Sequence, residues 1–138
     1  MLNRTMFAKP LNLALAAVVA LPLGACVSVP DQMASAQAAA EGSLVALNKS
    51  VKVGAVVATP QKVVEDSRCP INARCIHAGR LLVSTQLETP DWNGTVVLEL
   101  GKPVVVEGAT IALVSGDPLP VAGEPRDPAA YRFAFEAR

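Results

Sequence analysis

From residue 44 onward, the chain consists of short runs in which apolar and polar residues alternate. The clearest run is Leu81–Glu88, where the odd positions carry Leu, Val, Thr and Leu and the even positions carry Leu, Ser, Gln and Glu. A period of two is typical of a β-strand that buries one face. Tyr131–Ala137 alternates in the same way, with three aromatic residues on one face. We predict further strands over residues 44–47, 50–58, 61–65, 95–100, 104–107 and 109–115.

Turn-forming residues separate these runs. Pro60 is expected to interrupt a strand, Asn93-Gly94 suits a turn with positive φ, and Gly101 and Gly108 mark two later turns. Residues 117–128 carry four prolines and are predicted to form an irregular crossing segment. Short strands with turns at this spacing predict an all-β fold without a sizeable helix in the core. We expect a small antiparallel β-sandwich, or a partly open barrel, of about seven to nine strands.

The first 25 residues have the pattern of an export signal. Arg4 and Lys9 precede an apolar run over residues 11–23. This run is too short for a bilayer-spanning helix, which needs about 20 residues. The following Leu-Gly-Ala-Cys26 resembles the bacterial lipobox, in which small residues fit a signal peptidase and the cysteine takes diacylglycerol. We therefore expect a lipoprotein signal peptide over residues 1–25 and lipid attachment at Cys26. The alternative is an ordinary cleaved signal with a coincidental cysteine.

Residues 26–43 have few large apolar side chains and are predicted to be a flexible tether. Asp31 would cap a helix over residues 32–41 with Gly42 as its stop, although so short a helix is marginal in water. A helix that recognises a partner is the alternative. The domain itself is predicted over residues 44–138. Val27, rather than aspartate, follows the lipobox cysteine, and this resembles lipoproteins sorted to the periplasmic side of the outer membrane.

Composition and motifs argue against two classes of function, nucleic-acid binding and catalysis. Ten basic and twelve acidic residues follow Cys26, which gives a net charge of −2, and this balance argues against nucleic acid as a partner. The chain has no Gly-x-Ser-x-Gly or His-Glu-x-x-His motif. Glu65 and Asp66 would point to opposite faces of a strand, so they cannot serve as an acid/base pair. We expect a protein that is not an enzyme and needs no cofactor.

Two cysteines lie in one loop between predicted strands. Once Cys26 is acylated, Cys69 and Cys75 remain as a pair with five residues between them. An oxidising compartment favours a disulfide between them. A redox or metal role is less well supported, because the spacing is not Cys-x-x-Cys and tetrahedral zinc would need two more soft ligands. We predict one structural disulfide and no metal site.

Residues around the cysteines favour a defined loop. Asp66 is expected to accept backbone N–H bonds from the residues after it in an Asx-type turn. Arg68 would fork onto Asp66, Glu65 or turn carbonyls. Gly79 would permit a bend into the next strand. The same region therefore predicts a structural role for most of its charged side chains.

A sharper hypothesis gives this loop a binding role. Arg68, Arg74 and Arg80 bring three of the ten cations after Cys26 into 13 residues, and we expect them to form a positive rim that binds an anionic group. His77, the only histidine, is the natural candidate for a metal ligand. The candidate binding loop therefore comprises Asp66 together with these four residues.

The loop also resembles a known sequence signature. Asp66-Ser-Arg-Cys-Pro and Cys75-Ile-His-Ala-Gly are similar to the Asp-Ser-Arg-Cys-Pro…Cys-Val-Trp-Ala-Gly signature of a family of small secreted bacterial lipoproteins. The similarity extends to residues 111–113, 118–120 and 131–133, so it covers most of residues 50–138. The resemblance implies a fold and an envelope location rather than an activity. His77 stands where the family usually has tryptophan, which argues against transferring any role of an aromatic residue to this position.

Together these features predict an outer-membrane-anchored periplasmic lipoprotein. Its expected role is that of a non-enzymatic binding or accessory module that uses loops at one end of the sandwich. The expected partners are the membrane, through the lipid anchor, and an envelope protein or an anionic ligand. Two alternatives remain: an inhibitor of an envelope-directed hydrolase or protease, whose cleft a rigid loop would plug, and a metal-handling lipoprotein that uses His77.

Overall fold

The computed structural model describes residues 37–138, and the predicted signal peptide, Cys26 and most of the predicted tether lie outside this range. Seven strands form two antiparallel sheets. The four-stranded sheet has the order β1-β2-β3-β4 and the three-stranded sheet has the order β5-β6-β7. This confirms the predicted all-β antiparallel fold, with a strand number at the low end of the predicted range. The strands are β1 Val51–Val53, β2 Val56–Asp66, β3 Leu81–Glu88, β4 Asn93–Glu99, β5 Pro103–Val106, β6 Ala109–Asp117 and β7 Arg132–Ala137.

Both sheets contribute side chains to one apolar core. The alternation in β3 is confirmed, since its odd-numbered residues are buried and its even-numbered residues are only partly buried. In β7, Phe133 and Phe135 are fully buried, and the ring of Tyr131 stacks on Phe133 with 5.7 Å between ring centroids. The other fully buried large side chains are Leu81, Leu87, Leu98, Ile111 and Leu113. Burial of these side chains is the main stabilising contribution in a domain of this size.

The first predicted strands differ from those observed. A turn at Gly54, which has φ of 58°, divides the predicted run 50–58 into β1 and the start of β2. Pro60 does not interrupt β2, because β1 pairs only with residues 56–58 and a register shift follows Pro60. Proline lacks a backbone N–H, and a strand tolerates it beside a bulge or an unpaired edge. Residues 44–47 form a single bridge, between Val45 and Phe133, rather than a strand.

The turn between β3 and β4 lies earlier than predicted. The Thr89 N–H donates to the Trp92 carbonyl at 2.7 Å, and the Trp92 N–H donates to the Thr89 hydroxyl at 3.1 Å. Asn93 and Gly94 belong to β4 instead of the turn. A Cβ atom on Gly94 would lie 2.4 Å from the Trp92 ring. Glycine is therefore needed here to seat the indole, and not for a positive φ.

Residues 39–42, within the predicted tether, bond to the sandwich. Ala39 pairs in parallel with Val51, through an Ala39 N–H bond to the Ser50 carbonyl and a Lys52 N–H bond to the Ala39 carbonyl, both 2.8 Å. The Glu41 carboxylate accepts the backbone N–H of Gly54 at 3.0 Å and that of Ala137 at 2.8 Å. This carboxylate therefore links the β1–β2 turn of one sheet to the end of β7 in the other.

The sandwich has two distinct ends. The basal end carries the Gly54 turn, the C-terminus of β7 at Ala137 and the Glu41 carboxylate that binds both. The loop end lies at the opposite ends of the same strands, where β2 finishes at Asp66 and the disulfide loop follows. The 11 residues of β2 run between the two ends, a distance of about 33 Å at the usual rise per residue.

Candidate functional site

A buried carboxylate organises the loop end. Asp66 is the last residue of β2, and its side chain is only 4% exposed. Its two oxygens accept hydrogen bonds from Arg68 Nε and Nη2, both at 2.8 Å, and from the Tyr131 hydroxyl at 2.7 Å. Arg126 Nη1 lies 3.1 Å from Oδ2 of the same carboxylate. One carboxylate therefore holds side chains from three separate parts of the chain.

Arg68 extends this network to the three-stranded sheet. Its guanidinium is 9% exposed and donates to the Gly116 carbonyl and, at 3.1 Å, to the Pro118 carbonyl. The Arg68 N–H also donates to Asp66 Oδ1 at 3.4 Å. The predicted Asx-type turn and the predicted fork of Arg68 onto Asp66 are both present. Planar bidentate pairs of this kind fix geometry more tightly than a point-charge contact does.

The network alters the proton affinities of its members. Burial alone would raise the pKa of Asp66, but the hydrogen bonds from Arg68 and Tyr131 and the charges of Arg68 and Arg126 lower it below its ordinary value. Burial raises the pKa of the Tyr131 hydroxyl, and the hydrogen bond to the Asp66 carboxylate raises it further. The carboxylate therefore stays ionised and the phenol stays neutral at physiological pH.

A second ion pair closes the base of the loop. Arg80 forks onto Glu65, with Nη2 to Oε2 at 2.9 Å, and the Ser67 hydroxyl donates to Glu65 Oε1 at 2.8 Å. The Ser67 N–H donates to the Arg80 carbonyl at 2.8 Å. Gly79 has φ of 68°, and a Cβ atom there would lie 1.7 Å from the Ser67 carbonyl oxygen. The predicted bend at Gly79 is therefore present, and the two sides of the loop approach too closely for any other residue.

The disulfide loop rests on the crossing segment between β6 and β7. Cys69 and Cys75 are bonded, as predicted, and closing so small a loop contributes about 2 kcal/mol by chain entropy. The Ile71 N–H donates to the Pro120 carbonyl at 3.0 Å. The Asn72 side chain accepts the Ala122 N–H at 2.8 Å and donates to the Ala122 carbonyl at 3.4 Å. The two segments thus support each other, and the crossing segment ends in a short 3-10 helix, Pro128–Ala130, before β7.

The predicted positive rim is not assembled as expected. Arg68 is buried against Asp66, so it does not belong to an exposed rim, and Arg80 is paired with Glu65. Arg74 is exposed and has no ion pair among residues 37–138. His77 is exposed on the same loop. Of the three arginines, Arg74 alone therefore presents its charge at the tip of the loop.

Sequence reasoning missed the exposed apolar side chains of the disulfide loop and of the adjacent crossing segment. Ile76 is 95% exposed, Ile71 is 66% exposed and Leu119 on the adjacent crossing segment is 56% exposed. A groove of about 190 Å³ lies along the crossing segment, with Leu119, Arg126 and Tyr131 in its lining. Exposed apolar residues that cluster at one site indicate an interaction surface more often than isolated ones do. Both isoleucines lie inside the loop that the sequence singled out, so their residue types were an available signal.

Arg126 and Tyr131 were also missed as members of the network. They lie 60 and 65 residues from Asp66 in the sequence, and no local pattern connects them. Within residues 37–138, no three His, Cys, Asp or Glu side chains lie close enough to hold a metal ion. No helix in this part of the chain is long and apolar enough to cross a bilayer.

No protein family, curated protein or solved structure matches the chain. The resemblance to secreted lipoproteins therefore stays a prediction, and any function has to be argued from the loop end itself.

Proposed function

We propose that this protein is a lipid-anchored bacterial envelope protein whose β-sandwich serves as a non-enzymatic binding module. The disulfide loop and the adjacent crossing segment form the binding surface, here called the tip: Ile71, Arg74, Ile76, His77 and Leu119. The anchor is the acylated Cys26, and its expected location is the periplasmic side of the outer membrane. The export signal, the lipobox and the single disulfide all support this proposal.

The observation that carries the binding role is an exposed apolar tip on a rigid support. Ile76 is almost wholly in water, although burying an isoleucine side chain is favourable by about 2 kcal/mol. The disulfide, the bidentate Arg68–Asp66 pair and the hydrogen bonds to residues 120 and 122 hold the surrounding backbone. A surface that is ordered before binding loses less conformational entropy when a partner docks. The network itself is occupied with internal contacts, so it supports the tip and leaves recognition to the exposed side chains.

The binding role is tested by photocrosslinking in the native host. A diazirine amino acid is placed at position 76 of the full-length acylated protein, and a matched probe is placed at Val105, a 68% exposed valine on β5 near the basal end. We expect position 76 to crosslink to one envelope protein in stoichiometric yield and position 105 to give only scattered products. Equal, scattered products from both positions would contradict the binding role.

The anchor is tested separately. Metabolic labelling with an alkyne fatty acid is expected to mark the wild-type protein and to leave Cys26→Ala unlabelled and released from membranes. Labelling that persists in Cys26→Ala would exclude this residue as the attachment site.

A further inference from the structure

The outer edge of β4 offers main-chain hydrogen bonds to a further strand. β4 lies at one end of the four-stranded sheet, and no strand within residues 37–138 pairs with its outer edge. The Leu100 N–H donates to the Leu81 carbonyl, and the register of β3 with β4 continues regularly from this pair. Because main-chain groups alternate in direction along an antiparallel strand, the N–H and C=O of Thr95 and Val97 point away from β3.

The other strand edges carry features that oppose the addition of a strand. Ala39 bonds to β1, and Val45 forms a bridge to β7. β5 has only four residues and begins with Pro103. The part of β2 that extends beyond β1 has two register shifts and carries Lys62. Proteins commonly block sheet edges with short strands, prolines, bulges and lysines. β4 has seven residues, a regular register with β3, and neither proline nor lysine, so its edge is open to pairing.

The apolar core is incompletely covered beside this edge. Val96 packs against the core from β4, yet it is only partly buried. Val97, on the opposite face of the strand, is 51% exposed. A strand added at this edge would remove apolar surface of both side chains from water, which is favourable. β-branched residues are also well suited to a paired strand.

A second copy of β4 fits this edge when the two strands run antiparallel and are centred on Val96. On the inner face Val96 then lies opposite Val96 of the second copy, and Gly94 lies opposite Leu98, a small residue against a large one. Facing residues of an antiparallel pair point to the same side of the sheet. The cores of the two copies would therefore be neighbours, with the paired valines between them.

The outer face is self-complementary in the same alignment. Thr95 lies opposite Val97, and their outward N–H and C=O groups form a hydrogen-bonded pair. Glu99 is the only charged residue of β4. It lies opposite the Asn93 amide, so no like charges face each other across the pair.

We propose that two copies of this protein pair through their β4 edges, antiparallel and centred on Val96, so that their four-stranded sheets join into one continuous sheet. The residues of this interface are different from those of the tip. The inference therefore does not depend on the proposed binding role of the disulfide loop.

The alignment is tested with Thr95→Cys and Val97→Cys, produced together with different tags in the full-length protein. The Cα atoms of a hydrogen-bonded pair lie about 5.5 Å apart, which is within reach of a disulfide. We expect a mild oxidant to link position 95 to position 97, as mapped by mass spectrometry. Each variant alone should give about tenfold less dimer, because identical positions are two residues apart along the paired strands and exceed the disulfide limit of about 7 Å.

Val64→Cys is the matched control for Val97→Cys. Val64 and Val97 are both 51% exposed, but Val64 lies on β2, on the far side of β3 from the β4 edge. Produced together with Thr95→Cys, it should give no more dimer than either variant alone.

The occupant of the edge is tested with a diazirine amino acid at position 95 of the full-length protein. We expect this probe to capture a second copy. Val97→Pro should lower the yield about tenfold, since proline removes an outward N–H and obstructs a neighbouring strand. The N–H that proline removes does not bond to β3, so the circular dichroism spectrum should stay like that of the wild type.

Each result either supports or overturns the pairing. A link between positions 95 and 97, together with capture of a second copy that Val97→Pro reduces, supports it. Equal dimer yields with Val97→Cys and Val64→Cys would indicate random collision and overturn it, as would the absence of any link. A link of Val97→Cys to itself in place of the link to position 95 overturns the alignment about Val96. Capture of a different protein, or of residues before Gln37 of the same chain, overturns the second copy as the occupant.

Discussion

At the scale of single residues, Asp66 shows how a buried charge can determine the shape of a loop. A buried ion pair often adds little net stability, because desolvation offsets the Coulomb attraction. The ion pair instead determines conformation. The Asp66 carboxylate accepts hydrogen bonds from Arg68 and Tyr131, and a different loop path would leave the carboxylate and its donors buried without partners. Removal of one partner from such a pair is typically destabilising by about 3–5 kcal/mol.

The bond between Tyr131 and Asp66 predicts a pH-dependent effect of Tyr131→Phe. The ring and its stacking on Phe133 are kept, and only the hydroxyl donor at 2.7 Å is lost. A hydrogen bond to a charged group contributes about 1.5–3 kcal/mol, so we expect a loss of this order at neutral pH. Because the folded pKa of Asp66 is lowered, its stabilising contribution is complete above the unfolded pKa of about 3.9 and disappears as the pH falls through the folded pKa.

The measurement is urea unfolding of wild type and variant at a series of pH values from neutral to acid. The difference in the free energy of unfolding between them should shrink below about pH 4. A difference that stays constant into acid would mean that the hydroxyl does not stabilise the ionised carboxylate. Tyr131 is the only tyrosine, so tyrosinate absorbance reports its raised pKa directly, and denatured protein provides the reference.

The same residues show which parts of the site a sequence can predict. The Asp66–Arg68 pair and the Cys69–Cys75 disulfide are local, so spacing and residue type were sufficient to predict them. The contacts of Asp66 with Arg126 and Tyr131 arise only when β7 and the crossing segment fold back beside β2. The prediction of an exposed rim of arginines was wrong for the same reason, because the residues that bury Arg68 are distant in sequence.

At the scale of elements, strands were easier to predict than turns. Alternation in β3 and β7 reflects a buried face and identified both strands correctly. The turn before β4 was misplaced because Asn93-Gly94 has the residue types of a tight turn, whereas the indole of Trp92 requires the small residue for packing. Pro60 was misjudged because its effect depends on how far the neighbouring β1 extends.

Two glycine variants separate the destabilisation caused by a positive φ from that caused by close backbone contact at the base of the disulfide loop. Gly79 and Gly123 both have positive φ, 68° and 86°, but only Gly79 has a neighbour within contact distance of an added Cβ, the Ser67 carbonyl oxygen at 1.7 Å. Gly123→Ala should therefore destabilise by about 1–2 kcal/mol, the usual strain of a positive φ. Gly79→Ala should destabilise by clearly more, at least about 3 kcal/mol, because backbone must also move.

Chemical denaturation of the two variants checks this comparison. Gly79→Ala should in addition make the Cys69–Cys75 bond more accessible to a mild reductant, because the loop base is displaced, whereas Gly123→Ala should not. Equal losses of stability in the two variants would show that the Ser67 and Gly79 segments can separate without penalty. The loop would then not be the rigid support that the proposed tip requires.

At the scale of the whole molecule, residues 39–42 bond to both sheets of the sandwich. Ala39 extends the edge of β1, and the Gly42 N–H donates to the Phe135 carbonyl of β7 at 3.3 Å. The backbone N–H groups of Ala137 and Gly54 lower the pKa of Glu41, so its carboxylate stays ionised where the two sheets meet. The polar, alanine-rich sequence of this segment concealed its role, since main-chain bonds rather than apolar side chains attach it.

The attachment predicts that a chain beginning at Leu44 is less stable than one beginning at Gln37. The shorter chain lacks the backbone bonds of Ala39 and Gly42 and the two bonds of the Glu41 carboxylate. At roughly 0.5–1.5 kcal/mol for each bond, the thermal midpoint should fall by at least about 5 °C. Glu41→Gln in the longer chain is the matched variant and should lower the midpoint by less, because only its carboxylate contacts are weakened. If both chains melted together, residues 37–43 would not stabilise the sandwich, and the contacts of Ala39, Glu41 and Gly42 would be dispensable for the fold.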